Sequence, residues 1–452
     1  MKKILACLIF FLCIFYCYPQ KPLPSNMFMK KLPNGLSVFV VEDNSVPLAT
    51  VEMAVKNGAY TESPEYNGLS HLYEHMFFKA NKKYSGQGEF LDRMQELGIS
   101  SNATTSDEMV NYYFTLPKYN LGSGLELMSV AMRYPAFKST EIDRENAVVD
   151  GEFQRHESNP MWQLSDAMNH HLWGESYSRK NTIGDHDIIR SATSDKMEEI
   201  RNRYYWPNNS LLIVAGDVEH DKVFTQVQKI FGDWKPSDFD PFERYQVPEF
   251  KPLDKSAYFV VELNNVQQPM LLFSWQGPDT RRDTLNTYVA DIFSYILMQN
   301  SSKFHLALVE SGLALDIRAN YSTKKYTGPI TFLITPNPGK VKECVAAFKE
   351  QLDLLDSDDY FTDEQLAVSK KQYEIRSLRE EEVTSQFTHT LAYWFCSASI
   401  DYFNTYLDNL NKVNREEIKN YVRKYIKGKP YCAGLLLNPS TRAAISPDSF
   451  FK

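Results

Sequence analysis

Segments near the start of this chain return, in the same order, in its second half. The run MLLFSWQGPDTRRD, beginning at Met270, resembles the strand-and-turn pattern from Val51 to Ser63, and Met270 lies 219 residues after Val51. Likewise YCAGLLLNPST resembles NNSLLIVAGDV, with Leu435 lying 223 residues after Leu212. A weak duplication is the simplest account, one supersecondary plan used twice. Between the copies, Pro236, Pro241, Pro248 and Pro252 sit among charged residues. Such a stretch sustains neither a helix nor a central strand, and reads as a linker. A chain of 452 residues is also too long for one ordinary core. The reading is therefore an α+β protein of two homologous α/β domains, each a mostly antiparallel sheet covered by helices. The boundaries are 27–235 for the first domain, 236–257 for the linker and 258–450 for the second domain.

Periodicity locates the elements of the first copy. LSVFVVED (Leu36 to Asp43) and LATVEMAVKNGA (Leu48 to Ala59) carry the β-branched, alternating pattern of strands. NGLSHLYEHMFF has helical apolar spacing, with Asn67 and Ser70 available as caps. EFLDRMQELG reads as a helix stopped by Gly98, EMVNYYFTLP as a strand stopped by Pro117, and Gly122 to Met132 as a helix. A further helix starts near Thr140, with Ile142, Val149 and Phe153 at helical spacing, and NNSLLIVAGDV is a buried strand ending at Gly216. KNGAYTESPEYNG (56–68) reads as a surface loop.

Hydrophobic residues at 43% and charged residues at 23% place the body of the chain among soluble globular proteins. A formal net charge of -8 supplies no basic face, which sets nucleic acid aside as a partner. The N-terminus departs from this. Lys2 and Lys3 precede an apolar run from Ile4 to Tyr18 that ends at Pro19, the layout of a secretory signal over 1–20. The run is shorter than the ~20 residues of a spanning helix, which leaves an uncleaved anchor as second choice. Lipidation of Cys17 is a third fate, although Ile14, Phe15 and Tyr16 are bulky for it. The expectation is an exported protein, periplasmic or in the cell envelope. Outside the signal remain Cys344, Cys396 and Cys432, with no CxxC pair. They read as buried small hydrophobes or at most one disulfide, and not as metal ligands.

The chemistry concentrates at His71, Glu74 and His75. Residues three and four apart share a helix face, so two imidazoles can address one cation with a carboxylate beside them. The order H-x-x-E-H inverts the commoner H-E-x-x-H, and both set a carboxylate next to the metal's water. A hydrolytic zinc needs three protein ligands and one open position, so a third ligand has to come from elsewhere. Taken alone, a helical histidine pair is more often a hydrogen-bonded surface pair. His170 and His171 cannot share a face and read as structural. His156, one turn after Glu152, reads as solvated or as a support to the ligands.

HLYEHMFFKA resembles the signature of the pitrilysin and insulinase family of zinc metallopeptidases, in its two-domain bacterial or mitochondrial-processing-peptidase-like form. In that family a glutamate follows the second histidine with 76 residues between, and this count lands on Glu152 as third ligand. A supporting catalytic glutamate seven residues before it falls on Glu145, two helical turns away on the same face. SNATTSDEMVNYYF resembles the family's substrate-binding edge strand, which implies Asn102, Ala103 and Thr105 as contacts to a peptide backbone, the alternative being an ordinary turn. The second half resembles the zinc-free repeat. The resemblance implies one zinc ion per chain, held by His71, His75 and Glu152, with Glu74 as base in a metalloendopeptidase. Two imidazoles and a carboxylate also suit manganese or cobalt.

The family's Arg and Tyr in the zinc-free domain align with Val309 and Leu315 in LALVESGLALDI, so both polar groups are missing. Arg318 and Tyr321, three apart, are poor substitutes. A missing oxyanion donor is commonly worth ~3 kcal/mol, which implies a partner that supplies one. The expected partners are a peptide substrate and a zinc-free homologous subunit in a heterodimer, or a second copy in a homodimer. The competing reading is a non-catalytic peptide-binding or assembly subunit that retains its metal site for structure.

Overall fold

The computed structural model describes residues 21–451, so the signal expected over 1–20 lies outside the described residues. Two sheets carry the fold. The first contains Met27–Lys31 (β1), Ser37–Glu42 (β2), Leu48–Val55 (β3), Ser100–Thr105 (β4), Val110–Pro117 (β5) and Ser210–Gly216 (β6), in the order β1-β2-β6-β3-β5-β4. The second contains Ala257–Glu262 (β7), Met270–Gln276 (β8), Ala314–Tyr321 (β9), Pro329–Pro336 (β10) and Cys432–Leu437 (β11), in the order β7-β11-β8-β10-β9. With β1 set aside, the two orders are the same. In each sheet only the pair β2·β6 or β7·β11 is parallel. Topology therefore repeats far more clearly than sequence does, and the architecture is α+β.

Helices Leu69–Met76 (α1), Gln87–Glu96 (α2), Leu121–Arg133 (α3), Ser139–Glu157 (α4) and Pro160–Trp173 (α5) follow in the first half. All but α5 had a legible pattern, and β1 and α5 are additions to the elements read from periodicity. Gly98 closes α2 at φ 64°, the left-handed conformation that lets a helix end without a Cβ clash.

Strands β2, β3 and β6 are apolar on both faces, and successive side chains of a strand point to opposite sides. Val38, Val40, Val51, Met53, Leu212 and Val214 enter one core with α1 and α3. Phe39, Val41, Ala54, Leu211 and Ile213 enter another, which needs its own cover. That cover comes from the other half. The helix Thr384–Ser397 lays Phe387, Leu391, Ala392 and Cys396 on this face. The exchange is reciprocal: α5 buries Leu164, Met168 and Leu172 against Leu272 of β8 and Cys432 and Leu436 of β11. Phe250, within the proline-rich stretch, joins the same cluster. Cys344, Cys396 and Cys432 are free and buried, as small hydrophobes would be.

Polar ties cross between the halves as well. The buried Glu52 of β3 accepts from Asn111 at 2.6 Å and pairs with Nδ1 of His389 at 2.7 Å. Glu108, in the β4–β5 turn, accepts the backbone N–H groups of Lys325 and Tyr326 at 2.7 and 2.8 Å. A helix borrowed from a distant part of the chain should be a stability element of the sheet it covers. Leu391→Ala is expected to cost about 2–5 kcal/mol in denaturant titration. It should also speed amide exchange in β3 and β6, and unchanged exchange there would contradict the packing.

Candidate metal centre

The site is built where α1 meets β4 and α4. Helix α1 has only eight residues, too few to be stable alone, and its placement comes from outside it. Its N-terminus begins at Gly68, φ 91°, whose backbone lies against that of Gly184: a Cβ on Gly68 would sit 2.4 Å from the Gly184 Cα. Neither Asn67 nor Ser70 caps the helix. Glu62 does so, its carboxylate accepting the N–H groups of Gly68 at 2.7 Å and Ser70 at 2.6 Å. The segment 56–68 is therefore no surface loop. Tyr60 is fully buried among α5 and second-half residues, against Phe242 and Tyr326, and Glu62 is 4% exposed beneath the start of α1.

From this start, α1 directs His71 and His75 toward α4. Nε2 of His71 and Nε2 of His75 are 3.3 Å apart, and Oε2 of Glu152 lies 3.8 Å from the first and 3.7 Å from the second. Tetrahedral bonds of about 2.0–2.2 Å would separate ligand atoms by about 3.3–3.6 Å, so the three atoms fit around one zinc-sized ion. Among the described residues, these three form the single cluster with that geometry. Burial holds His71 down at about 3, helped by the neighbouring His75 and His156, so it presents the neutral ring that a metal requires.

Glu145 stands behind His75 and outside the cavity. Its Oε1 is 2.7 Å from Nδ1 of His75 and its Oε2 is 2.6 Å from Nζ of Lys79. Burial raises the Glu145 carboxyl, but the bonds from His75 and Lys79 outweigh it and hold the group below its usual range. With Nδ1 engaged, the ring of His75 turns Nε2 toward the other ligand atoms. Lys79, one helical turn beyond His75, went unremarked in the sequence, although its spacing was a signal.

Glu74 faces a cavity of 450 Å³ shared with His71, Glu152, Ala103 and Thr105. It is 8% exposed, and its Oε2 accepts the Thr105 hydroxyl at 2.6 Å. Burial pushes the Glu74 carboxyl up, while that bond and His75 oppose the shift. Strand β4, with Asn102, Ala103 and Thr105, forms the edge of its sheet, and Asn102 pairs across to Tyr113 of β5. Ala103 and Thr105 reach the cavity, whereas the exposed Asn102 does not line it. His156 does line it. His170 and His171 stack on Tyr177 and Phe259, away from the site. In the second half Leu315 is 50% exposed, Arg318 pairs with Asp316 at 3.1 Å, and the Tyr321 hydroxyl is used by the Pro278 carbonyl at 3.0 Å.

Comparison with known proteins identifies the family. Residues 38–185 match the profile described as Insulinase (Peptidase family M16), and residues 191–373 match the profile of the Peptidase M16 inactive domain. The uncharacterized zinc protease YmxG of Bacillus subtilis is 22% identical over 86% of this chain and 93% of its own length. The probable mitochondrial-processing peptidase subunit beta of Arabidopsis thaliana is 28% identical over 44% of this chain and 38% of its own length. The first half of the periplasmic protease PqqL from Escherichia coli superposes with a TM-score of 0.77 at 17% identity, covering 95% of this chain and 96% of that one. The chain thus spans nearly all of some relatives and well under half of others. It belongs to the pitrilysin/insulinase family of two-domain peptidases.

The cap on α1 has a pH signature. Burial pushes Glu62 up to about 8 from its ordinary 4.5, against the bonds from Gly68 and Ser70. Between those values the folded chain retains a proton that the unfolded chain has released. The contribution is therefore full below about 4.5 and is lost as pH rises through about 8. Denaturation of Glu62→Gln beside the parent is expected to show a difference in stability that changes across this window, and a pH-independent difference would refute the assignment.

Proposed function

We propose that the chain is a zinc endopeptidase acting on peptides or unfolded segments, with His71, His75 and Glu152 as ligands and Glu74 as general base. The observation that supports this is the triangle of ligand atoms beside a carboxylate on the same short helix. His71, His75 and Glu152 would hold a zinc ion, which when bound would supply Lewis acidity for a scissile carbonyl and lower the pKa of water toward neutrality. Glu74 takes the proton of the attacking water and passes it to the leaving amine. Its raised carboxyl suits both halves of that exchange, and the Thr105 hydroxyl orients it. Glu145 positions His75. The edge of β4 offers backbone donors and acceptors to an extended peptide, with Ala103 and Thr105 nearest the base and Asn102 further out. Relatives named as zinc proteases support zinc over manganese or cobalt, and a single cluster of three possible ligands among the described residues is the basis for proposing one ion per chain.

Val309 and Leu315 put no polar group at the two positions where the family resemblance expects the oxyanion contacts. This favours a zinc-free homologous subunit as partner, and the similarity to a mitochondrial-processing peptidase subunit beta fits that assembly. The same gap is what favours the second reading, a peptide-binding subunit without turnover. Retention of Glu74 beside the ligands weighs against it, since a structural metal has no use for a base. Export is supported by the fold shared with a periplasmic protease. No helix among the described residues is long and apolar enough to cross a membrane.

Metal analysis and a fluorogenic peptide assay, with and without chelator, separate these readings. Glu74→Gln is expected to keep one zinc per chain and to lose turnover by about 10²–10⁴-fold. His71→Ala should lose both metal and turnover. Parent-rate cleavage by Glu74→Gln would overturn the assignment of the base. Adding a homologous chain that carries the Arg and Tyr should raise the rate of the purified chain, and equal rates would remove the need for a partner.

A further inference from the structure

The repeated strand order gives the metal site a counterpart in the second half. There the helix Thr284–Leu297 follows β8 as α1 follows β3, and it meets the edge strand β9 and the helix Asp363–Glu381 as α1 meets β4 and α4. At this counterpart position lies a cavity of 640 Å³, larger than the one at the metal site. Asp291 lines it from the first helix and Tyr373 and Arg376 from the second, with residues 320–323 at the end of β9. Trp394 and Tyr406 complete the aromatic wall. No histidine lines it, so the metal chemistry of the first half is absent, yet the space has not been filled by packing.

Asp291 is one of the charged groups lining it, beside Lys21, Arg376, Glu380 and Glu381. The Tyr406 hydroxyl donates to Oδ2 at 2.6 Å, and the Tyr373 hydroxyl donates to the Asp291 backbone carbonyl at 3.2 Å. Among the described residues no other donor reaches the carboxylate. Arg376 attracts it from beyond ion-pair distance, its guanidinium being engaged by Glu380 at 2.9 Å. Burial pushes the Asp291 carboxyl up to about 7. A half-buried carboxylate with a single hydrogen bond has acceptor capacity left for a cation reaching it from the cavity. Aromatic side chains around such a group are the usual surroundings of a bound organic cation.

We propose that this cavity binds a small organic ammonium compound, its nitrogen on the Asp291 carboxylate and its apolar part against Trp394 and Tyr373. The volume falls in the range of about 300–1,000 Å³ that small-molecule sites occupy. The site is independent of the metal centre and stands or falls separately from the peptidase reading. Its position on the helix Thr384–Ser397 does connect it to the first half. Trp394 faces the cavity while Leu391, on the same helix, packs on the first sheet.

Calorimetric titration of the full chain with benzylamine, benzyl alcohol and benzoate tests this. Benzylamine is expected to bind at least about tenfold more tightly than the neutral and anionic analogues, the size of one charge-assisted contact. Asp291→Asn should weaken benzylamine by a similar factor. Arg376→Gln, which removes a competing cation, should tighten it, a result that a folding defect would not produce. Equal binding of benzyl alcohol, an unchanged affinity in Asp291→Asn, or no benzylamine heat up to about 10 mM would each overturn the proposal.

Discussion

The metal centre depends on holding eight residues of helix still. Helix α1 is too short to persist by its own hydrogen bonds, and the imidazoles it carries must keep their placement opposite a carboxylate on another helix, Oε2 of Glu152 lying 3.8 and 3.7 Å from their Nε2 atoms. The restraints come from distant parts of the chain. Gly184 meets Gly68 backbone to backbone, and Glu62 satisfies the free N–H groups at the helix start. Tyr73 stacks on Tyr205 at 4.0 Å, Phe77 stacks on Tyr112 at 4.3 Å, and Glu145 fixes the His75 ring. A Cβ at Gly68 or Gly184 would push the helix off its seat, with backbone on both sides and nothing free to move aside.

The second half contributes no ligand atom and still shapes the site. Lys180, on the rim of the metal cavity, donates to the carbonyls of Tyr326 and Thr327 at 3.1 Å each and lies 3.4 Å from Asp107. Burial lowers Lys180 while Asp107 and Glu108 oppose it. The β4–β5 turn is thereby held to the β9–β10 connection. Together with the exchanged helices, this makes the two halves one mechanical unit around the cavity. The repeated strand plan thus carries divided labour: the first half carries the candidate ligands, and the second contributes a helix and a loop that pack against the first.

Much of the first half was legible because its strands and helices carry strong periodicity. The strands at β2, β3, β5 and β6 and the helices α1 to α4 follow from alternation or helical spacing with recognisable stops. What escaped was local structure decided at a distance. The segment 56–68, rich in polar and turn residues, has the composition of a surface loop, and only tertiary contacts bury Tyr60, among α5 and second-half residues, and Glu62, at the start of α1. Helix α5 carries polar residues between its apolar ones, and its burial depends on a sheet about a hundred residues later in the chain. The proline-rich stretch reads as a spacer, yet Phe250 is drawn into the α5 cluster.

Sequence alone determined the residue types at the site and the repeated architecture: an i, i+4 histidine pair with a glutamate between them, a second helix with carboxylates two turns apart, and a strand plan used twice. Those are local properties, set by helical and strand periods that any stretch of chain obeys. Tertiary structure decided the rest. It closed the triangle of His71, His75 and Glu152, placed Lys79 and Thr105 on the two glutamates, and exchanged helices between the halves. It also left a cavity at Asp291 where the first half has its candidate ligands. These outcomes depend on which surfaces meet after folding, and no period along the chain encodes a distance between residues that lie far apart in it.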